Sequence, residues 1–469
     1  MKTMTAMRRL THQVLLSILA TFVSAANGQT LPLAWEQTKY FQYNIENVTV
    51  TPAGTGSWTV KVIFSVSNPA LANVWDIQNK TALPFQSTGA SVTADFAWDG
   101  MEFTNTGSAG AALGSLVGAS ALLGTGAAMP VQVRSLQSTT AATRATPCAS
   151  ATDCPKVPDL TNRYWVSKTV TPVPSTVKFG RVAIEGRPVC NGLPGCPTVI
   201  APFANIPVKS ATADFEFTNS IQAKVANPRR QIVDIAKCKG CHDDKQHGDT
   251  VVPRLSLHGA NRNENLDLCV VCHNPNQTDV NYRYYDPANP PADARVYGPE
   301  TSIDFKRMVH SIHAGGFRKT PYVVIGFQSS VNDFSDVRFP AELRKSCLKC
   351  HVVDAATGKG SYELPLKSAV LGTTVKTQSA YLAPGGSPQR SIDVNPANDL
   401  KITPTAATCS GCHDSSEVRI HMIRTGGASF ATTQDKIGKT VVERCASCHG
   451  PGKDKDVRKV HELSSGSGN

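Results

Sequence analysis

The sequence predicts a mixed fold: an N-terminal antiparallel β-sandwich, then a C-terminal domain of short helices and loops with little apolar core of its own. Three observations carry this. All five tryptophans (Trp35, Trp58, Trp75, Trp98 and Trp165) precede residue 230, whereas five Cys-x-x-Cys-His motifs all follow it. The first half alternates apolar and polar residues with period two, the pattern of a half-buried strand. The second half is rich in Gly, Pro, Asn and Asp and has few long periodic runs.

Taken in order, residues 1–28 read as an export signal. Lys2, Arg8 and Arg9 precede an apolar run from Val14 to Val23, too short to span a bilayer, and Ser24-Ala25-Ala26 offers small residues for cleavage. The first cysteine is Cys148, so no cysteine is placed for lipidation near that cleavage point. Residues 29–228 form the expected sandwich. Trp58, Val60, Val62, Phe64 and Val66 mark one strand, Val92, Ala94, Phe96 and Trp98 another, and Tyr164-Trp165-Val166 and Val182 to Ile184 two more. Gly107 to Met129 is Gly, Ala and Ser with scattered Leu, which reads as a flexible loop and not as a membrane span. Residues 229–463 form the second domain and 464–469 a disordered tail.

The chain holds 14 cysteines, ten of them in the five motifs. The other four are Cys148, Cys154, Cys190 and Cys196, and in an exported protein they are expected to form two disulfides, local in sequence.

The motifs are Cys238-Lys-Gly-Cys241-His242, Cys269-Val-Val-Cys272-His273, Cys347-Leu-Lys-Cys350-His351, Cys409-Ser-Gly-Cys412-His413 and Cys445-Ala-Ser-Cys448-His449. This is the spacing of covalent c-type haem attachment. Two thiols meet the two vinyl positions on one haem edge, and the next residue sets an imidazole under the iron. Random placement of this composition yields roughly 0.01 such motifs per chain. Zinc is the competing ligand for paired cysteines, but all five pairs carry the trailing histidine in a chain read as exported. The expectation is five covalently attached haem c groups, which supply the core that the polypeptide lacks. The C-terminal half is then a pentahaem cytochrome domain of short helices and loops wrapped around haems.

The formal charge is +11. Removing the signal leaves about +8, and five ferric haems with ionised propionates bring it to about +3, counting the cofactor's own charge. The basic balance is therefore compensation for haem and no sign of nucleic-acid binding. Lys237, Lys239, Arg344, Lys345 and Lys349 lie near the motifs, either as propionate partners or as solvated surface.

The sixth iron ligand follows from a histidine census. Of 12 histidines, five belong to motifs and His12 to the signal, leaving His247, His258, His310, His313, His421 and His461. Methionine is the usual rival, but Met308 and Met422 are the only two in the C-terminal half, each near a candidate histidine. Five bis-histidine haems with one spare histidine is the economical expectation. His310 and His313 sit in a short helical stretch from Asp304 to Gly316, stopped by Gly315-Gly316. Their i,i+3 spacing puts them on neighbouring parts of one face, where one turn can serve two irons. His421 and His461 each follow a motif closely. Spacing does not decide between His247 and His258. Saturated irons leave no open coordination position, so electron transfer is expected, with no catalytic residue proper. The competing expectations are a periplasmic electron shuttle between cytochromes, a reductase with one open haem, and a structural filament subunit.

Several runs are specific: Pro228-Arg-Arg-Gln-Ile-Val233, Leu257-His258-Gly259 followed by Asn261-Arg262-Asn263, Cys269-Val-Val-Cys-His-Asn-Pro275 with Thr278-Asp279, Phe305-Lys-Arg-Met-Val-His-Ser-Ile-His-Ala-Gly315, and Asp333-Phe-Ser335 with Phe339-Pro340. On these, roughly residues 225–465 resemble the OmcA/MtrC family of outer-membrane multihaem cytochromes from metal-respiring bacteria. The N-terminal half is similar mainly in β character and in Ile184-Glu-Gly-Arg-Pro188. The resemblance selects His258 over His247, because the family ligand sits in a His-Gly context before Asn/Arg and the second motif. It implies a staggered haem arrangement, other redox cytochromes as partners, and electron transfer to extracellular metal oxides, metal chelates or flavins. Typical members carry ten haems in two β-plus-pentahaem halves and are commonly surface lipoproteins. This chain looks like one half and lacks the lipid-attachment cysteine, so the expected location is outer-membrane-associated, extracellular or periplasmic.

Overall fold

The computed structural model describes residues 33–463 apart from short internal segments, the longest of them 103–128. The expected signal peptide, residues 107–128 of the Gly/Ala-rich loop and the tail 464–469 lie outside the described residues.

Among the described residues ten strands build the N-terminal half: β1 Gln42–Gly54, β2 Ser57–Asn68, β3 Asn73–Val74, β4 Ser91–Trp98, β5 Val131–Val133, β6 Thr146–Pro147, β7 Tyr164–Val170, β8 Phe179–Arg187, β9 Ala211–Glu216 and β10 Lys224–Val225. They form two antiparallel sheets, one ordered β1-β2-β7-β6 with β3 on β2, the other β10-β9-β8-β4-β5. The β1–β2 register pairs Val48 with Val62 and Val50 with Val60. One core takes Val62, Phe64 and Val66 from the first sheet and Phe96, Trp98, Val182, Ile184 and Phe215 from the second. Each such apolar side chain contributes about 1.5–3 kcal/mol on burial, so this half folds around its own side chains. Cys148–Cys154 and Cys190–Cys196 are both disulfides, closing loops of sequence separation 6.

The second sheet departs from simple alternation. Its outward side chains Thr93, Asp95, Ala97, Arg181, Glu185 and Asp214 are buried like the inward ones. The C-terminal half covers them. Ala97 packs on Val270 and Val271, Arg181 donates to the Asp267 carbonyl at 2.8 Å, and Arg262 donates to Glu185 at 2.7 Å.

The C-terminal half consists of short pieces: α1 Ile235–Lys239, α2 Leu266–Cys272, α3 Phe305–His313, α4 Pro404–Cys409, α5 Ser416–Arg424, α6 Ala446–His449 and α7 Val457–Val460, joined by 3-10 turns and two-stranded ribbons. Among the described residues its largest apolar cluster has five buried members, Ile402, Ala406, Ala407, Met422 and Ala428. A cavity of about 2510 Å³ occupies the space where a core would sit. Phe317 and Val460 line it and are 61% and 43% exposed, apolar surface that the polypeptide does not cover.

Candidate haem sites

Each motif is built as one turn. In all five, the histidine N–H donates to the carbonyl of the first cysteine at 2.9 Å: His242 to Cys238, His273 to Cys269, His351 to Cys347, His413 to Cys409 and His449 to Cys445. Local chemistry starts these turns. Asp234 caps α1 on the Ala236 N–H, Asn265 caps α2 on Asp267 and Leu268, and Pro404 opens α4, where its missing N–H costs nothing. The third motif instead uses a 3-10 turn, Cys347–Lys349.

The histidines of different segments then face one another. Ring centres are 6.2 Å apart for His242–His313, 6.0 Å for His258–His273, 6.0 Å for His310–His351, 6.0 Å for His413–His461 and 6.2 Å for His421–His449. Every motif histidine thus has a different partner. Among the described residues His247 faces no such ring; its Nε2 lies 2.8 Å from the Asp243 carboxylate. A metal–imidazole bond is about 2 Å, so two in line on one ion place the nitrogens about 4 Å apart and the ring centres roughly 6 Å apart. The observed spacing is the one that an iron between two imidazoles requires.

The rings are also oriented. His242 Nδ1 sits 2.9 Å from the Pro253 carbonyl, His273 Nδ1 2.9 Å from that of Ile303 and His313 Nδ1 2.8 Å from that of Val309. His449 Nδ1 sits 3.0 Å from the Lys455 carbonyl and His461 Nδ1 2.9 Å from that of Arg344. A carbonyl can only accept, so Nδ1 carries a proton and Nε2 is the nitrogen left for a metal. Ser361 does the same for His351: its hydroxyl donates to the Ile232 carbonyl and accepts from Nδ1 at 2.9 Å. Burial pushes His310 and His351 down to about 4 and lowers His258, His273, His313 and His413, so these imidazoles are neutral, as metal ligands must be. No sequence pattern marks these anchors, because any residue offers a carbonyl. Phe339 packs edge-on to His313 at 5.7 Å and Tyr362 to His351 at 5.9 Å, two aromatic neighbours without a motif of their own.

The α3 helix runs from Phe305 to His313 and gives way to a 3-10 turn at Gly315–Phe317. Asp304 accepts from the Thr373 hydroxyl instead of capping the helix. A Cβ at Gly411 would lie 2.6 Å from the His310 Cβ, so the glycine of the fourth motif is what lets it approach α3.

Burial pushes the thiols of Cys269, Cys412 and Cys445 up to about 11 and those of Cys272 and Cys409 to about 12. Among the described residues no cluster of three or more His, Cys, Asp or Glu forms a metal site. Cys350 is instead lowered to about 7 by a hydrogen bond from the Cys238 thiol, which brings the first and third motifs together. The cavity is lined by eight of the ten facing histidines and by all six cysteines of the last three motifs. Of the nearby basic residues, Lys237 donates to the Leu348 and His351 carbonyls, Lys239 pairs with Glu264, and Arg344 and Lys345 pair with Glu462. These four are held by protein groups.

Attachment turns, apolar cavity and paired imidazoles together define a multihaem c-type cytochrome joined to a β-sandwich. The family comparison agrees. Residues 230–462 match the model of the outer membrane cytochrome MtrC/MtrF-like family, domains II/IV, and the chain belongs to that family. It is thereby an exported, outer-membrane-associated electron-transfer cytochrome with covalently bound c-type haems. Among curated protein sequences none matches the chain. No helix among the described residues is long and apolar enough to cross a membrane.

Proposed function

We propose that the chain carries five bis-histidine haem c groups and conducts electrons through them towards extracellular acceptors: Fe(III) or Mn(IV) oxides, metal chelates or flavins. Cys238 and Cys241, Cys269 and Cys272, Cys347 and Cys350, Cys409 and Cys412, and Cys445 and Cys448 hold the haems. The proximal ligands are His242, His273, His351, His413 and His449, and their distal partners are His313, His258, His310, His461 and His421 in that order. His247 is the spare histidine. The observation that carries this reading is the set of five facing imidazole pairs at 6.0–6.2 Å. When bound, the haems supply one-electron chemistry; the chain supplies ligands, orientation and exclusion of water.

Contacts between motifs support a path. The first motif touches the third through Cys238 and Cys350, the third lies near the fourth through Cys347 and Cys412, and the fourth near the fifth through Cys409 and Cys445. The second motif joins from the side, where the Phe305 N–H of α3 donates to the His273 carbonyl at 3.0 Å. Residues 1–28 serve as the export signal, and other redox cytochromes deliver the electrons.

Spectra and reoxidation test this together. All haems should be low-spin in the ferric protein, at five per chain by pyridine haemochrome. The reduced protein should be reoxidised by chelated Fe(III) or a flavin. A high-spin ferric haem in the native protein, with reoxidation by nitrite instead, would favour a reductase with an open iron.

A further inference from the structure

The segment Glu185-Gly186-Arg187, at the end of β8, is far in sequence from every motif, yet each of its residues binds the loop that carries His258. Arg262 donates to both Glu185 carboxylate oxygens, at 2.7 and 3.0 Å. The Gly186 N–H donates to the Asn261 carbonyl at 3.2 Å. The Arg187 guanidinium donates to the Gly259 carbonyl at 2.8 Å. Two further sandwich segments join in: the Ser91 hydroxyl bonds the Asn261 side chain at 2.7 Å, and the Val208 carbonyl accepts from Asn263 at 2.9 Å.

The loop needs holding. His258, Gly259 and Ala260 have φ of +53°, +68° and +69°, three consecutive residues in the left-handed region. That region is unfavourable for His and Ala. The ribbon beneath the loop is only two residue pairs long, Ser256 with Asn263 and Leu257 with Arg262. A Cβ at Gly259 would lie 2.7 Å from the Arg187 Nη1 and would push that guanidinium off the loop, and the φ of +68° there itself favours glycine. The other four distal histidines sit on pieces of the haem half: His310 and His313 on α3, His421 on α5 and His461 just after α7.

We propose that Glu185, Gly186 and Arg187 are positioning residues for His258, so that six-coordination of the second-motif haem depends on docking of the β-sandwich onto the haem half. The sandwich is thus part of one iron site. This rests on the reading of His258 and His273 as an axial pair. Releasing the clamp frees the strained loop, His258 leaves, and this one iron opens while the other four stay saturated.

Carbon monoxide binding to the dithionite-reduced full-length holoprotein reads the effect directly, alongside the high-spin ferric EPR signal. The native protein should bind none. His258→Ala should bind about one per chain. Arg187→Ala should bind a measurable fraction of one per chain, and Arg187→Lys, which keeps a donor for the Gly259 carbonyl, should restore the native result. Gly259→Ala, which sets a methyl against Arg187 and keeps both clamp side chains, should also open the site and serves if Arg187→Ala does not accumulate. If His258→Ala opens one iron but Arg187→Ala and Gly259→Ala stay fully low-spin, the clamp is wrong. If His258→Ala itself opens none, the axial pairing beneath it is wrong.

Discussion

Arg181 offers the sharpest test of how the two halves are joined. Its guanidinium is 1% exposed and grips Asp214, 4% exposed, through Nε at 2.7 Å and Nη2 at 2.8 Å. Its third nitrogen donates to the Asp267 carbonyl at 2.8 Å and pairs with that carboxylate at 3.1 Å. Asp267 is 43% exposed, so that ion pair contributes at most about 1 kcal/mol. The large term is Asp214: Arg181→Met leaves a buried carboxylate without its cation, which costs about 3–5 kcal/mol. With a urea slope of about 2 kcal/mol per molar, the midpoint should fall by about 2 M. Tryptophan emission follows the transition, since all five tryptophans lie in the sandwich half. The double variant Arg181→Met/Asp214→Leu removes both charges and should recover most of the loss. A single variant within about 0.5 M of the native midpoint, or a double no better than the single, would refute this account of the buried pair beneath the interface.

Four other outcomes follow from the same geometry. His310→Ala and His313→Ala should each open a different haem, the two together should open two, and His247→Ala should open none, as read by carbon monoxide binding. The imidazole planes differ by 20° and 34° in the His310–His351 and His258–His273 pairs but by 87°, 72° and 78° in the other three. Crossed ligand planes bring the iron orbitals closer in energy, so the ferric EPR spectrum should hold two rhombic low-spin signals and three of larger anisotropy. Reducing Cys148–Cys154 and Cys190–Cys196 should cost about 2 kcal/mol each from loop entropy alone, measured by urea unfolding in reductant, with the haem spectrum unchanged because thioethers resist it. Burial pushes Lys401 down to about 8 from 10.5. Between those values the unfolded chain binds a proton that the native one does not, so stability should rise with pH over that window, and Lys401→Met should flatten the rise in melting temperature.

Covalent chemistry made the motifs legible: two thiols and an imidazole on one turn tolerate a single spacing, and the backbone bond from each histidine to its first cysteine shows why. The short helix ending before Gly315 was legible for a similar reason, since local residues set it. The pairing of the rings was not, because nothing near His242 in the chain points to His313. Between His247 and His258 spacing is silent, and what separates them lies in tertiary contacts: Asp243 holds the first and His273 faces the second, which supports the proposal of His258 as the ligand. The outer face of β4 and β8 misled in a different way. Thr93, Asp95 and Glu185 alternate as a solvent face would, but a second domain lies over them. Polar side chains matched to a polar partner look like surface until the partner is in place.

The α3 helix has a consequence for how this chain can vary. His310 and His313 are three residues apart on one helix, a rise of about 4.5 Å and an angular offset of about 60°. Their faces meet motifs that lie about 70 residues upstream and 40 downstream. Inserting one residue between them would swing one ring by about 100° about the axis, so no local shift could satisfy both partners. The two residues between the histidines are fixed in number by the two partners, and Ser311, fully buried, is confined in size as well, so the stretch acts as a ruler between two sites.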